Sequence, residues 1–156
     1  MWELIEQLKL VGKALEKNDL TYALCGGLAV GTYTEPRGTI DIDIVVDPEQ
    51  LDKVIKTLSD IGFEKMSEAM PLDKGKMMIQ RLLKFDKDEP HVLQIDLCMP
   101  DKEKYPEVWK DWTRSPFDEV EIPVLSRKGL IEMKKSRRSE KDIADIKALE
   151  PENDEE

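Results

Sequence analysis

Leu4, Leu8, Val11 and Leu15 recur three and four positions apart, which predicts an opening amphipathic helix that ends at Asn18-Asp19. The period then shortens. Tyr22-Ala23-Leu24-Cys25 suits a buried strand, and Leu28 to Tyr33 suits a short helix behind a Gly26-Gly27 turn. Ile40, Ile42, Ile44 and Val46 alternate with Asp41, Asp43 and Val45, so a strand here sends the isoleucines to one face and both aspartates to the other. Asp47-Pro48 starts a helix with Leu51, Val54, Ile55, Leu58 and Ile61 on one stripe, and Gly62 terminates it. Phe63 to Met66 and Met77 to Phe85 read as strands separated by a loop from Ser67 to Lys76. After a turn at Asp86 to Pro90, Leu93, Ile95 and Leu97 alternate with Gln94, Asp96 and Cys98 in a further strand. Tyr105, Trp109 and Trp112 have helical spacing, and Glu119 to Val124 suits an edge strand, since Pro123, which lacks an amide donor, is tolerable only there or at the strand's end. Ser126 is a good N-cap for the next helix, and Ser139 with Asp142 resembles the capping box of the last one. The simplest packing is one α/β (α+β) domain over residues 1–149, a mixed twisted sheet of about five strands with helices mainly on one side. Glu150 to Glu156, with five acids in seven residues, reads as a disordered tail.

Composition narrows the class. A chain of 156 residues holds one domain with a real core but no elaborate substrate domain, so whatever it modifies is expected in an open cleft or in a site that a partner completes. No apolar run approaches the length of a bilayer span, and Met1-Trp2-Glu3-Leu4 lacks the basic-then-apolar pattern of a signal peptide. The expectation is a soluble cytoplasmic protein without a membrane partner. Cys25 and Cys98 read as small buried hydrophobes, and His91, the one histidine, as a strand-edge residue that cannot build a zinc site with them. A net charge of -10 argues against broad affinity for nucleic acid. The charge is uneven, however: residues 126–149 hold eight Lys and Arg against four acids, a local +4 against -14 for the rest.

Two carboxylates on one face resist ionising together, and a bound cation is one remedy. Hard oxygen donors beside a phosphate favour magnesium. Gly26-Gly27 lets backbone amides approach a phosphate at a helix N-terminus, and Arg37 and Thr39, in the turn-rich Glu35-Pro36-Arg37-Gly38-Thr39, are placed to reach the same phosphates.

The order strand, Gly-Gly, short helix, Arg-x-Thr, then Asp41-x-Asp43 on a strand resembles the nucleotidyltransferase superfamily, whose fold includes the DNA polymerase beta palm, minimal nucleotidyltransferases and antibiotic-modifying enzymes. That family expects a third carboxylate on a later strand, and Asp96 meets the demand. Leu130-Ile131-Glu132-Met133-Lys134, followed by Arg137-Arg138 and Lys141-Asp142-Ile143-Ala144-Asp145-Ile146, is similar to segments of minimal members, including those of abortive-infection toxin systems. Leu28 departs from the pattern, since many members have Ser after the glycines, and the paired arginines leave open which one matches.

The resemblance implies a nucleotidyltransferase fold and transfer of a nucleoside monophosphate from an NTP to an acceptor hydroxyl, with release of pyrophosphate. It assigns Asp41, Asp43 and Asp96 as catalytic residues that hold two Mg2+ ions, or Mn2+, with Asp96 also taking the acceptor's proton. It gives the phosphates to Gly26, Gly27, Arg37 and Thr39, and the developing charge to Lys134 with Arg137 or Arg138. The acceptor stays open among a small-molecule hydroxyl, an RNA end and a protein hydroxyl; the acidic surface favours a small cationic molecule or a protein over long nucleic acid. A protein partner or a homodimer is compatible with this reading. The competing reading is a non-catalytic nucleotide- or partner-binding module of a toxin-antitoxin type system, against which stands the presence of all three carboxylates. Tyr105, Trp109 and Trp112 read as core or cleft lip rather than as a base-stacking platform.

Overall fold

A computed structural model describes residues 4–34, 40–86, 91–135 and 140–150, with the side chains of 140 and 141 left aside. The opening helix α1 (Leu4–Lys17) buries Leu8, Val11 and Leu15. It stops where Asp19 turns to φ 55° and the Leu20 amide donates back to the Leu15 carbonyl at 3.0 Å. Strand β1 (Tyr22–Cys25) is buried throughout, and helix α2 (Gly26–Tyr33) follows with no intervening turn. After β2 (Asp41–Val46), Asp47 accepts the Glu49 amide at 3.0 Å and caps a short 3-10 turn at Pro48, which leads into α3 (Leu51–Ser59).

The remaining strands are β3 (Glu64–Lys65), β4 (Met70–Leu72), β5 (Met77–Phe85), β6 (Val92–Pro100), β7 (Thr113–Phe117) and β8 (Val120–Val124). Helices α4 (Arg127–Lys135) and α5 (Glu140–Leu149) complete the described chain. The sheet runs β3-β5-β6-β2-β1-β8-β7, with β4 also paired to β5. It is mixed: β2 lies parallel to β6 and β1 parallel to β8, and the other pairs are antiparallel.

Ile42, Ile44, Ile95, Leu97 and Leu82 are fully buried on one face. Helix α1 covers that face: Lys84 Nζ donates to Gln7 Oε1 at 2.9 Å, and a Cβ at Gly12 would lie 2.6 Å from Ile122 Cδ1. The aspartate face is left to α2 and α4, which pack on one another at one end of the sheet. That difference in cover makes the second face available for chemistry. No helix among the described residues is long and apolar enough to cross a membrane.

Four expectations need correction. Among the described residues the sheet has eight strands, not about five. The stretch from Ser67 to Lys76 is not only loop, because Met70 to Leu72 pairs with β5; Pro71 at its centre and the lack of a buried face hide it from a pattern read by alternation. Of the two places open to Pro123, the strand's end holds and the edge does not: β8 lies between β1 and β7, and the ladder to β1 is one register pair, Leu24 with Val124, so a missing donor interrupts little. The true edge is β7, whose Pro116 obscured it.

Tyr105, Trp109 and Trp112 do not lie on a helix, since residues 101–112 form successive turns. Asp101 Oδ1 accepts the amides of Glu103 and Lys104 at 2.8 and 3.0 Å, and Tyr105 donates its hydroxyl to Asp73. The aromatics nevertheless serve as core. Tyr105 is buried, and the indoles of Trp109 and Trp112 donate to the carbonyls of Pro100 and Val108.

Candidate active site

The register draws one row of side chains across four strands: Cys25 on β1 pairs with Asp43 on β2, Asp43 with Asp96 on β6, and Asp96 with Arg81 on β5. Asp41 lies one step along, opposite Gln94. Neighbouring strands lie about 4.8 Å apart, so the period-two alternation of β2 and β6 forces three carboxylates together on the face that α1 does not cover.

Asp43 rests directly on the start of α2. Gly26 has φ +68°, and a Cβ there would lie 2.1 Å from Asp43 Oδ2 and 2.8 Å from Asp43 Cβ. The glycine is therefore required twice, by a left-handed backbone and by the carboxylate against it. The N-cap residue of α2, Cys25, offers no side-chain hydrogen bond to the first amides, so the positive end of the helix adjoins Asp43 and is available to an anion.

Asp96 is nearly buried, with 12% of its side chain exposed, and the Arg81 guanidinium grips it. Arg81 Nε donates to Oδ1 at 2.9 Å and Nη2 to Oδ2 at 3.3 Å. Gln94, with its amide oxygen oriented to the guanidinium, accepts from Nε at 3.2 Å and Nη2 at 3.3 Å. The bond to Asp96 raises the Arg81 pKa above its ordinary value, burial works against it, and the charges of Asp96, Asp41 and Asp43 add to the rise. Sequence reasoning missed Arg81, because nothing beside it in the chain marks it. The information lies in the strand register: with Phe85 paired to Val92, counting back along both strands sets residue 81 opposite residue 96.

Lys134 also reaches this face, but its charge is shared. Nζ lies 2.9 Å from Asp145 Oδ2 and 3.4 Å from Asp142 Oδ1, with all three side chains buried. The Asp-x-x-Asp spacing on α5 sets both carboxylates on one helix face, so the motif ties α5 to α4. Arg37, Thr39, Arg137 and Arg138 lie outside the described residues.

A cleft with about 540 Å³ of space, part of it open to solvent, joins these groups. Gly26, Asp43, Asp96 and Lys134 form its polar end, Leu72, Met77 and Ile79 one apolar wall, and Leu130 and Met133 of α4 another. Cys25 and Cys98 are buried free thiols at its base. A hydrogen bond with Cys98 and burial push the Cys25 thiol well above its usual range, which keeps it protonated and makes it a small hydrophobe rather than a nucleophile.

The donor set is right for a hard divalent cation: Asp41, Asp43 and Asp96 bring carboxylate oxygens to one face, beside a helix end suited to phosphate. Among the described residues, no three acids, histidines or cysteines are gathered closely enough to hold an ion as they stand. Asp96 is instead turned to Arg81. The residues fit such a group in kind and in register, provided Asp96 gives up that partner.

The family profile described as aminoglycoside-2''-adenylyltransferase matches residues 7–149. No curated protein sequence matches the chain significantly. Among solved structures, an antigenic nucleotidyltransferase-like protein from Paracoccidioides brasiliensis aligns with TM-score 0.62 and 20% identity over 94% of this chain and 75% of its own. The lincosamide antibiotic adenylyltransferase LnuA, solved with lincomycin bound, aligns with TM-score 0.55 and 21% identity over 92% of this chain and 94% of its own. ANT(2'')-Ia, solved in complex with adenylyl-2''-tobramycin, aligns with TM-score 0.61 and 13% identity over 93% and 86%. At these identities the likeness is one of fold, and the fold is that of nucleotidyltransferases.

The contact between Gly26 and Asp43 predicts unequal costs for two glycine substitutions. Gly26→Ala meets both a left-handed backbone and the carboxylate, whereas Gly75→Ala, at φ +85°, meets only the backbone because nothing lies within 4 Å. Urea unfolding should show a loss of about 1 kcal/mol for Gly75→Ala and about 2–4 kcal/mol for Gly26→Ala. Equal losses would remove the carboxylate contact from the account.

Proposed function

The chain belongs to the aminoglycoside-2''-adenylyltransferase family, and from that membership we propose that it transfers adenylate from ATP to a hydroxyl of a small molecule, releasing pyrophosphate. The observation that carries the reading is the register of Asp43 against Asp96 beside the start of α2. It sets a helix N-terminus, a carboxylate pair and an open cleft side by side, an arrangement that supports the reading.

The amides of Gly26 and Gly27 bind oxygens of the β and γ phosphates at the α2 N-terminus. Asp41 and Asp43, with Asp96, would hold two Mg2+ ions, or Mn2+, which neutralise phosphate charge and lower the pKa of the attacking hydroxyl when bound. Asp96 orients that hydroxyl and accepts its proton. Arg37, Thr39, Arg137 and Arg138 complete the phosphate contacts in this proposal, and Lys134, whose charge is shared with Asp142 and Asp145, supplies an ammonium N–H at the cleft wall.

The cleft also bears on the acceptor. Beyond Asp96, on the side away from α2, the walls are Leu72, Met77 and Ile79. Leu72 and Met70 of β4 stay partly exposed at 39% and 41%. A hydroxyl presented to Asp96 therefore brings its neighbouring atoms against apolar side chains, so the acceptor has an apolar face next to its reacting hydroxyl. Tobramycin, a polyamine, calls for a wall of acids, whereas lincomycin pairs a sugar with an apolar arm.

Two experiments test these assignments. With purified protein, Mg2+, labelled ATP and a panel of hydroxyl compounds, Asp41→Asn combined with Asp43→Asn should lower transfer by about 10³-fold or more. Unchanged transfer would refute the assignment, and ATP binding without turnover on any acceptor would favour the non-catalytic module. In the same assay the wild type should prefer lincomycin to tobramycin, and Leu72→Glu should raise the lincomycin KM by about 10-fold. Preference for tobramycin, unaffected by Leu72→Glu, would refute the apolar acceptor.

A further inference from the structure

Arg81 has no part in the transfer scheme, yet it is the group that holds Asp96. Its guanidinium takes both carboxylate oxygens, at 2.9 and 3.3 Å, in the row that also contains Asp43. The two partners differ in freedom: the Asp96 side chain is 12% exposed and fixed in the middle of the sheet, whereas the Arg81 side chain is 42% exposed. Of the pair, only Arg81 has room to leave.

A fork on both oxygens and a divalent cation that Asp43 and Asp96 would hold compete for the same carboxylate. A carboxylate retains lone pairs beyond those the fork uses, but a guanidinium and a dication on one group repel each other in a half-buried site. Without either cation, Asp43 and Asp96 would face each other as like charges on neighbouring strands.

We infer that Arg81 is a displaceable counter-ion of Asp96, holding the carboxylate while no divalent cation is present and swinging outward to solvent when one binds. The inference rests on the reading of Asp41, Asp43 and Asp96 as cation ligands. Arg81 is a positioning residue, since it acts on the reaction only through Asp96. Its consequence is a coupling. Cation binding must break an ion pair, so the bare protein binds the metal weakly. A triphosphate at α2 adds negative charge that favours the exchange, and Asp96 becomes available as ligand and base when the donor substrate is in place.

Mn2+ binding to the full chain without nucleotide, followed by the loss of the free-ion EPR signal, tests this without reference to activity. Arg81→Gln should bind Mn2+ about 10-fold more tightly than the wild type, and Arg81→Lys, which keeps the charge but loses the fork, about 3-fold more tightly. The difference should shrink when ATP is present. Thermal unfolding supplies a second readout: Arg81→Gln should melt below the wild type without metal and show the larger rise on adding Mn2+. If Arg81→Gln does not fold, Arg81→Lys carries the test. Affinity equal to or weaker than wild type in the folded variants would overturn the counter-ion role while leaving the cation ligands standing. Mn2+ bound by no form of the protein would overturn both.

Discussion

Like charges on neighbouring strands set the terms for this fold. Asp43 and Asp96 are register partners on parallel β2 and β6, with Asp41 one step away, so the centre of the sheet carries three carboxylates on one face. Such a row survives only with compensation close by. The start of α2 lies against Asp43, and the Arg81 fork lies on Asp96. Each compensating group also suggests a ligand. A helix end that steadies a carboxylate also receives phosphate, and a guanidinium that steadies a carboxylate holds the place of a cation.

The same alternation that creates the site anchors the fold. Ile42, Ile44, Ile95 and Leu97 are fully buried on the opposite face, under α1. A slip of one residue in β2 would bring the aspartates into that core and the isoleucines into the cleft. Fold and chemistry thus share one constraint, and the hydrophobic face fixes the register on which the carboxylate row depends. Helices α4 and α5 close one end of the polar face and are joined by the buried contact of Lys134 with Asp142 and Asp145. Removing Lys134 would leave two buried carboxylates without their cation, so its place in the structure is as firm as any role toward phosphate.

What the sequence revealed follows from what alternation encodes. Asp41, Asp43 and Asp96 sit in strands whose apolar partners are buried, so period two alone placed them on a common face. The Gly26 position was legible for phosphate approach, but its contact with Asp43 required the structure, because that contact joins two elements. β4 and β7 carry prolines and little alternation, and they were lost for that reason. Spacing of aromatics suggested a helix at Tyr105 to Trp112, where Asp101 and the turns it caps prevail instead. Arg81 was hidden because its meaning lies across the strand pair, in a register that its own neighbours do not encode.

The site turns on the exchange inferred above, in which the carboxylate row gives up a protein cation for a metal cation when nucleotide binds. A crystal structure with Mn2+ and a non-hydrolysable ATP analogue measures this directly, through anomalous scattering from manganese. The expected result is manganese peaks at Asp41, Asp43 and Asp96, with the triphosphate on α2 and Arg81 withdrawn from Asp96. Nucleotide bound with no manganese at these carboxylates, and Arg81 still forked to Asp96, would contradict it.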